Sequence, residues 1–301
     1  MSCHSPHLVL VPLKGGSPIF VPNDVTVRGF VNYPKVGRCR VTYLPCGHCI
    51  ACRRERRQDL TVLQSLEASL YDENWFLTLT YDDSKFSTGI APRSLDKQHL
   101  RDFVISMRKY CAYHKATFRF FACGEYGDQY ERPHYHLSLF GLSSSLLGIS
   151  DDEDTLITRR KALYDGGRFL HCKHAQTDSN GNFFWQSDVI SDRWRYGNHQ
   201  IYRANRETFQ YVAGYTVKKL SGDMAKAWLD TGRLLPFFAQ SRPSIGYPWF
   251  KRYGSTLAKV DGSKLINDSV SVGDLSWRIP RIMMKWFEEY AKINYQLKQN
   301  H

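Results

Sequence analysis

From residue 75 onward the chain switches between two hydrophobic periods. "WFLTLTY", residues 75 to 81, sets Phe76 and Thr78 against Leu77 and Leu79, the two-residue repeat of a strand. "DDSKFSTGIAP" then supplies a loop with Gly89 and Pro92. Over roughly 95 to 111 the repeat becomes helical, with Leu100, Phe103, Val104, Met107 and Tyr110 on one face. "TFRFFACGEYG" predicts the next strand and a glycine-flanked turn, and "RPHYHLSLFG", 132 to 141, predicts its hairpin partner. Upstream, residues 53 to 71 carry Leu60, Leu63, Leu66 and Leu70 at helical spacing behind a basic first turn. Strand, helix, strand, strand in this order predicts an α+β fold of the split βαβ (ferredoxin-like) type, an antiparallel sheet covered by helices.

This order divides the chain into an N-terminal extension (1–72), a core (73–222) and a C-terminal helical elaboration (223–301). Residues 142 to 206, polar and irregular and including the acidic run 151–154, are expected to be an insertion or surface elements. No internal repeat is apparent.

Charge narrows the partner. Lys and Arg outnumber Asp and Glu by 41 to 29, which favours a polyanion, nucleic acid first, over a neutral metabolite. Aromatic residues make up 14% of the chain, and rings interleaved with cations suit the unstacked bases of a single strand, although core packing accounts for most rings equally well. No apolar run has the length of a membrane span, and the N-terminus lacks signal-peptide features, so an intracellular protein without a membrane partner is expected. No G-x4-G-K-[ST] phosphate loop is present, so unwinding is expected to fall to another protein.

Three stretches carry candidate chemistry. His134 and His136 lie two apart on a strand and share a face, so both imidazoles can hold one metal ion; the pair alone is also a common chance occurrence. "PCGHCIACRRERR" contains Cys46, Cys49 and Cys52, a spacing suited to thiolate ligation of structural Zn2+, with Cys39 or His48 as the fourth ligand. Reduced thiols at a helix start explain the same residues, and iron–sulfur ligation is a further alternative. "ETFQYVAGYTVKKL", 207 to 220, places Phe209, Val212, Ala213, Thr216 and Leu220 on one side of a helix and Tyr211, Tyr215 and Lys218 on the other, with Lys219 at the edge. The tyrosines are either a solvated face or nucleophiles facing a metal-bound phosphodiester.

In their order, "FLTLTYDD", "HYHLSLFG" and "YVAGYTVKK" resemble the three motifs of the HUH endonucleases that initiate rolling-circle replication, and among these the replication initiators of gokushoviruses, small single-stranded DNA phages. "PCGHCIACRRERR" and "SRPSIGYPWF", 241 to 250, resemble further segments of those initiators, so the likeness runs from about 40 to 255. The resemblance implies an HUH fold in which Glu125 joins His134 and His136 around Mg2+ or Mn2+. It implies Tyr211 and Tyr215 as nucleophiles that form a 5′-phosphotyrosine, with Lys218 neutralising phosphate charge. Contact with single-stranded DNA at the viral origin is expected from Thr78, Thr80, Arg53, Arg54 and Lys219. The implied setting is the host bacterial cytoplasm, with a host DNA polymerase and helicase as partners.

Two other classes fit parts of the pattern. A pair of histidines with one carboxylate also describes non-haem iron enzymes, which leaves the basicity and the tyrosine helix unexplained. A zinc-stapled nucleic-acid-binding protein without catalysis uses the cysteines and "RRERR" but leaves the histidines idle.

Overall fold

The computed structural model describes all residues except 1–2, 22–28, 128–129, 150–162, 166–167, 171–175, 179–180, 218–222, 259–268, 273–274 and 300–301. Contacts divide the chain into two units, Met1–Gln58 and Asp59–His301.

The first unit is an antiparallel sheet of β1 (His7–Pro12), β2 (Ile19–Val21), β3 (Phe30–Tyr33) and β4 (Gly37–Leu44), in the order β2-β1-β4-β3. Leu8, Val9 and Leu10 are buried along β1, and Cys39 is buried on β4. Helix α1 (Ile50–Ala68) starts in this unit, and its residues from Asp59 onward belong to the second.

In the second unit β5 (Asn74–Tyr81) leads to α2 (Lys97–Tyr113), β6 (Arg119–Tyr126) and β7 (Pro133–Phe140). Asp96 caps α2 by accepting from the Gln98 and His99 amides, which fixes where the helix begins. Next come α3 (Ser144–Leu147), the pairs β8 (Leu163–Asp165) with β9 (Arg168–Leu170) and β10 (Gln176–Thr177) with β11 (Phe183–Phe184), then α4 (Asp188–Arg193) and β12 (Gly197–Arg203). The tyrosine helix α5 (Arg206–Val217) is followed by α6 (Asp223–Asp230), β13 (Phe237–Gln240) and α7 (Tyr247–Ala258). The hairpin β14 (Ser269–Val272) and β15 (Leu275–Arg278) and helix α8 (Arg281–Gln299) complete the unit.

The central sheet has the order β12-β5-β7-β6-β13, and every neighbouring pair is antiparallel. Flanked by helices, it is the α+β arrangement expected from the hydrophobic periods. Strand alternation separates two cores. Leu77, Leu79, Ala122, Tyr135 and Leu137 pack with Leu100, Phe103, Val104 and Met107 of α2. Phe76, Phe121, Cys123 and Phe140 pack instead with Val62, Leu63 and Leu66 of α1, Phe209 and Val212 of α5, and Trp249 and Trp286 of α7 and α8.

The expectation that residues 142 to 206 are surface elements is corrected. β12 pairs with β5 along its full length, and Trp185, Val189, Ile190, Trp194 and Ile201 are buried in the α2-side core. These apolar residues are interspersed among polar ones, so the average polarity of the stretch concealed them. The acidic run 151–154 lies outside the described residues. The C-terminal region contributes more than helices, since β13 forms the edge of the sheet beside β6.

The "SRPSIGYPWF" segment has a structural role here. Glu67 of α1, fully buried, accepts from Arg119 Nε and, at 2.8 Å, from the Gly246 amide, while Arg119 Nη2 donates to the Pro243 carbonyl at 2.7 Å. Among the described residues, no helix is long and apolar enough to cross a membrane.

Candidate active site

Strand register sets out the candidate residues row by row. Thr80, His134 and Glu125 pair across β5, β7 and β6, and Thr78, His136 and Cys123 form the next row. All lie on the sheet face away from α2 because they alternate with Leu79, Tyr135 and Leu137. Helix α5 lies over this same face, burying Phe209, Val212, Ala213 and Thr216. Tyr211 and Tyr215 are therefore left toward an open cleft of about 1580 Å³ whose walls include Thr78, Glu125, His134, His136, Gln200 and Tyr202.

His136 stands at the centre. Its Nδ1 lies 3.0 Å from Thr78 Oγ1 and its Nε2 lies 3.1 Å from Glu125 Oε1, so both ring nitrogens are oriented by neighbours. Phe76 stacks on one side at 5.6 Å between ring centroids, and Tyr215 stacks on the ring at 5.3 Å. Tyr211 meets the ring edge-on at 5.2 Å. The Tyr215 hydroxyl donates to the Tyr211 hydroxyl at 2.7 Å, which brings both phenolic oxygens to one place.

His134 runs parallel to His136, with centroids 6.3 Å apart and ring planes within 7°. Its Nδ1 lies 2.6 Å from the Arg132 carbonyl, which places the proton on Nδ1 and leaves the Nε2 lone pair as the ligating one. Burial, ahead of the neighbouring charges, holds this imidazole below its usual range and therefore neutral. Among the described residues, the donor atoms that converge within 4.8 Å as a group of three or more are the thiols of Cys3, Cys46, Cys49 and Cys52. His134 thus stands off from the His136–Glu125 pair. A carboxylate with two oriented imidazoles is still the donor chemistry that takes a divalent ion whose remaining positions go to water and phosphate.

The structure gathers Tyr211, Tyr215, His134, His136 and Glu125 in one cleft, with Thr78 and Thr80 along its wall. Both threonine hydroxyls have protein partners, Thr78 at His136 and Thr80 at the Asn198 carbonyl. Lys218 and Lys219 lie outside the described residues. Arg53 and Arg54 lie in the first turns of α1 within the N-terminal unit, Arg54 exposed and Arg53 half-buried. The cysteine expectation needs correction at one position: Cys46, Cys49 and Cys52 gather with Cys3, not with Cys39, whose thiol is buried on β4 and donates to the Gly37 carbonyl at 3.5 Å.

Several residues at the site escaped sequence reasoning. Gln64 of α1, fully buried, donates to the Phe209 carbonyl at 3.2 Å and accepts from Ser138 Oγ at 2.6 Å, so it ties α5 to the histidine strand. Tyr202 lines the cleft too, but burial and then Asp178 push its hydroxyl up to about 12, which makes it a poor source of phenolate. One signal was available for Phe76: it sits two residues before Thr78 on a strand and so shares the site's face.

An antiparallel sheet presenting paired imidazoles beneath a helix with two tyrosines defines a class of protein built to act on phosphodiesters. Comparison narrows that class to the replication-associated proteins of small phages, to which this chain is homologous. Residues 74–220 match the family model for replication-associated protein ORF2. The chain is 32% identical over 177 residues to Replication-associated protein ORF4 of Chlamydia phage 1, covering 58% of this chain and 38% of that protein. It is 28% identical over 255 residues to Replication-associated protein ORF2 of Spiroplasma virus 4, covering 82% and 70% of the two chains. It is 26% identical over 266 residues to Replication-associated protein VP4 of Bdellovibrio phage phiMH2K, covering 85% and 73%. These likenesses support the resemblance to gokushovirus replication initiators. No solved structure matches.

Proposed function

We propose that the chain nicks and rejoins single-stranded DNA at a phage origin through a 5′-phosphotyrosine, and so starts rolling-circle replication. The observation that carries this reading is the placing of two tyrosine hydroxyls 2.7 Å apart, with both rings against His136. His134, His136 and Glu125 would hold Mg2+ or Mn2+, and the bound ion would supply positive charge to a scissile phosphate.

The chain's own groups do the rest. A phenolic oxygen of Tyr211 or Tyr215 attacks phosphorus, the new O–P bond replaces the bond to the 3′ oxygen, the phenol gives up its proton and the departing oxygen takes one. The free 3′-OH then serves a host polymerase. The hydrogen bond between the hydroxyls allows one to carry the DNA while the other attacks the regenerated junction. Thr78 holds the His136 ring, and the basic chain draws the strand toward the cleft.

The test is incubation with labelled single-stranded origin DNA and Mn2+, scored for a covalent protein–DNA adduct and for circular product. Wild-type protein should form both. Tyr211→Phe and Tyr215→Phe should each retain some adduct but lose most circles, and the double variant should form no adduct. An adduct from the double variant would place the nucleophile elsewhere; its absence from wild type with either Mg2+ or Mn2+ would overturn the reading. Neither a non-haem iron enzyme nor a non-catalytic binder forms such an adduct.

A further inference from the structure

The N-terminal unit contains a group of side chains that nicking does not use. The Sγ atoms of Cys3, Cys46, Cys49 and Cys52 all lie within 4.8 Å of one another, although 43 residues separate the first two along the chain. Cys3 and Cys49 sulfurs are 3.9 Å apart. Zinc–sulfur bonds of about 2.3 Å at tetrahedral angles put neighbouring sulfurs about 3.8 Å apart, whereas a disulfide needs about 2.05 Å. An iron–sulfur cluster, with its own irons and sulfides at the centre, would spread the thiolates more widely than a single ion does.

The backbone is arranged around these sulfurs. Cys3 Sγ accepts from the Cys46 amide at 3.3 Å, and Cys46 Sγ accepts from the Cys49 amide at 3.3 Å and from that of His48. The amides of Cys52 and His4 point at Cys49 Sγ, and that of Gly47 points at Cys52 Sγ. Each sulfur thus receives at least one N–H donor, the arrangement that stabilises thiolate charge and orients a ligand. Gly47, at φ +76° with open space where a Cβ would be, permits the tight loop between Cys46 and Cys49.

We propose that Cys3, Cys46, Cys49 and Cys52 form a structural zinc site that fastens the chain ahead of β1 to the start of α1. All four positions of the ion are filled by protein, so the site has no place for substrate. It sets the first turn of the helix on which Arg53 and Arg54 directly follow Cys52.

The test is metal analysis of the full chain, purified without added metal, by mass spectrometry and by zinc release on thiol modification. About one zinc per chain is expected, and replacement by Co2+ should give the strong thiolate charge-transfer absorption of a tetrahedral site. Cys3→Ser should lose most of the metal and that absorption, whereas Cys39→Ala should keep both. Should Cys3→Ser fail to fold, the wild-type and Cys39→Ala metal contents and Co2+ spectra decide. Wild-type protein that lacks zinc and refuses Co2+, protein that carries iron and sulfide, or a Cys39→Ala variant that loses metal would each overturn the proposal.

Discussion

Gln64→Leu tests whether the tyrosine helix is held in register with the histidine strand by a buried polar bridge. Gln64 is fully buried; its Nε2 donates to the carbonyls of Leu60 at 3.3 Å and Phe209 at 3.2 Å, and its Oε1 accepts from Ser138 Oγ at 2.6 Å. Leucine fills a similar volume but makes none of these bonds. Ser138, also fully buried, would keep a hydroxyl with no acceptor, a cost of about 1–3 kcal/mol. The carbonyls of Leu60 and Phe209 lie in helices and lose only an additional donor, which adds roughly 1 kcal/mol. A loss of about 2–4 kcal/mol is expected, read as a lower urea midpoint at unchanged slope. Gln64→Leu combined with Ser138→Ala removes both ends of one bond and should recover about 1–2 kcal/mol. Ser138 lies two residues past His136 and Phe209 two before Tyr211, so adduct formation at saturating DNA should slow while DNA affinity holds. A Gln64→Leu protein within about 0.5 kcal/mol of wild type, or a double variant showing no recovery, would refute the reasoning.

Gly246→Ala should destabilise by about 1–3 kcal/mol, because Gly246 has φ +83° and an added Cβ would lie 2.7 Å from Leu63 Cδ2; an unchanged urea midpoint would contradict this. The folded protein should lose stability at alkaline pH, because burial pushes the Tyr135 hydroxyl up to about 12 from an unfolded value of 10.0. Stability from this group is fully present below pH 10 and is lost as pH rises toward 12, at about 1.4 kcal/mol per pH unit. Tyr135→Phe should flatten that decline when melting temperature is followed across the same range.

The central sheet was legible because its strands are buried on both faces yet alternate in residue type. Thr78, His134 and His136 interrupt apolar runs at every second position, so a period of two showed both the strands and the face that carries the site. The tyrosine helix was legible for a related reason: Phe209, Val212, Ala213 and Thr216 define its buried stripe, leaving Tyr211 and Tyr215 to the other side. β12 was not legible. In "GNHQIYR" only Ile201 and Tyr202 read as strand formers, and its place in the sheet comes from pairing with β5, more than a hundred residues earlier in the chain.

The same distinction between local and distant signals explains the site residues that were missed. Cys46, Cys49 and Cys52 announce themselves by spacing, but a ligand supplied across 43 residues has no spacing to read, and Cys39 was the nearer sequence neighbour. Only the course of the chain ahead of β1 brings Cys3 to the group. Gln64 follows the same logic with polarity reversed. Flanked by Leu63 and Leu66, it reads in one dimension as a polar interruption of a helix stripe. In three dimensions it is the group to which two separately encoded elements, β7 and α5, are both bonded. Side chains that position others carry no motif of their own, because what they satisfy is backbone and hydroxyl groups that many sequences could offer. The chemistry-bearing residues were therefore readable in the sequence, and the residues that hold them at their distances became visible only with the fold.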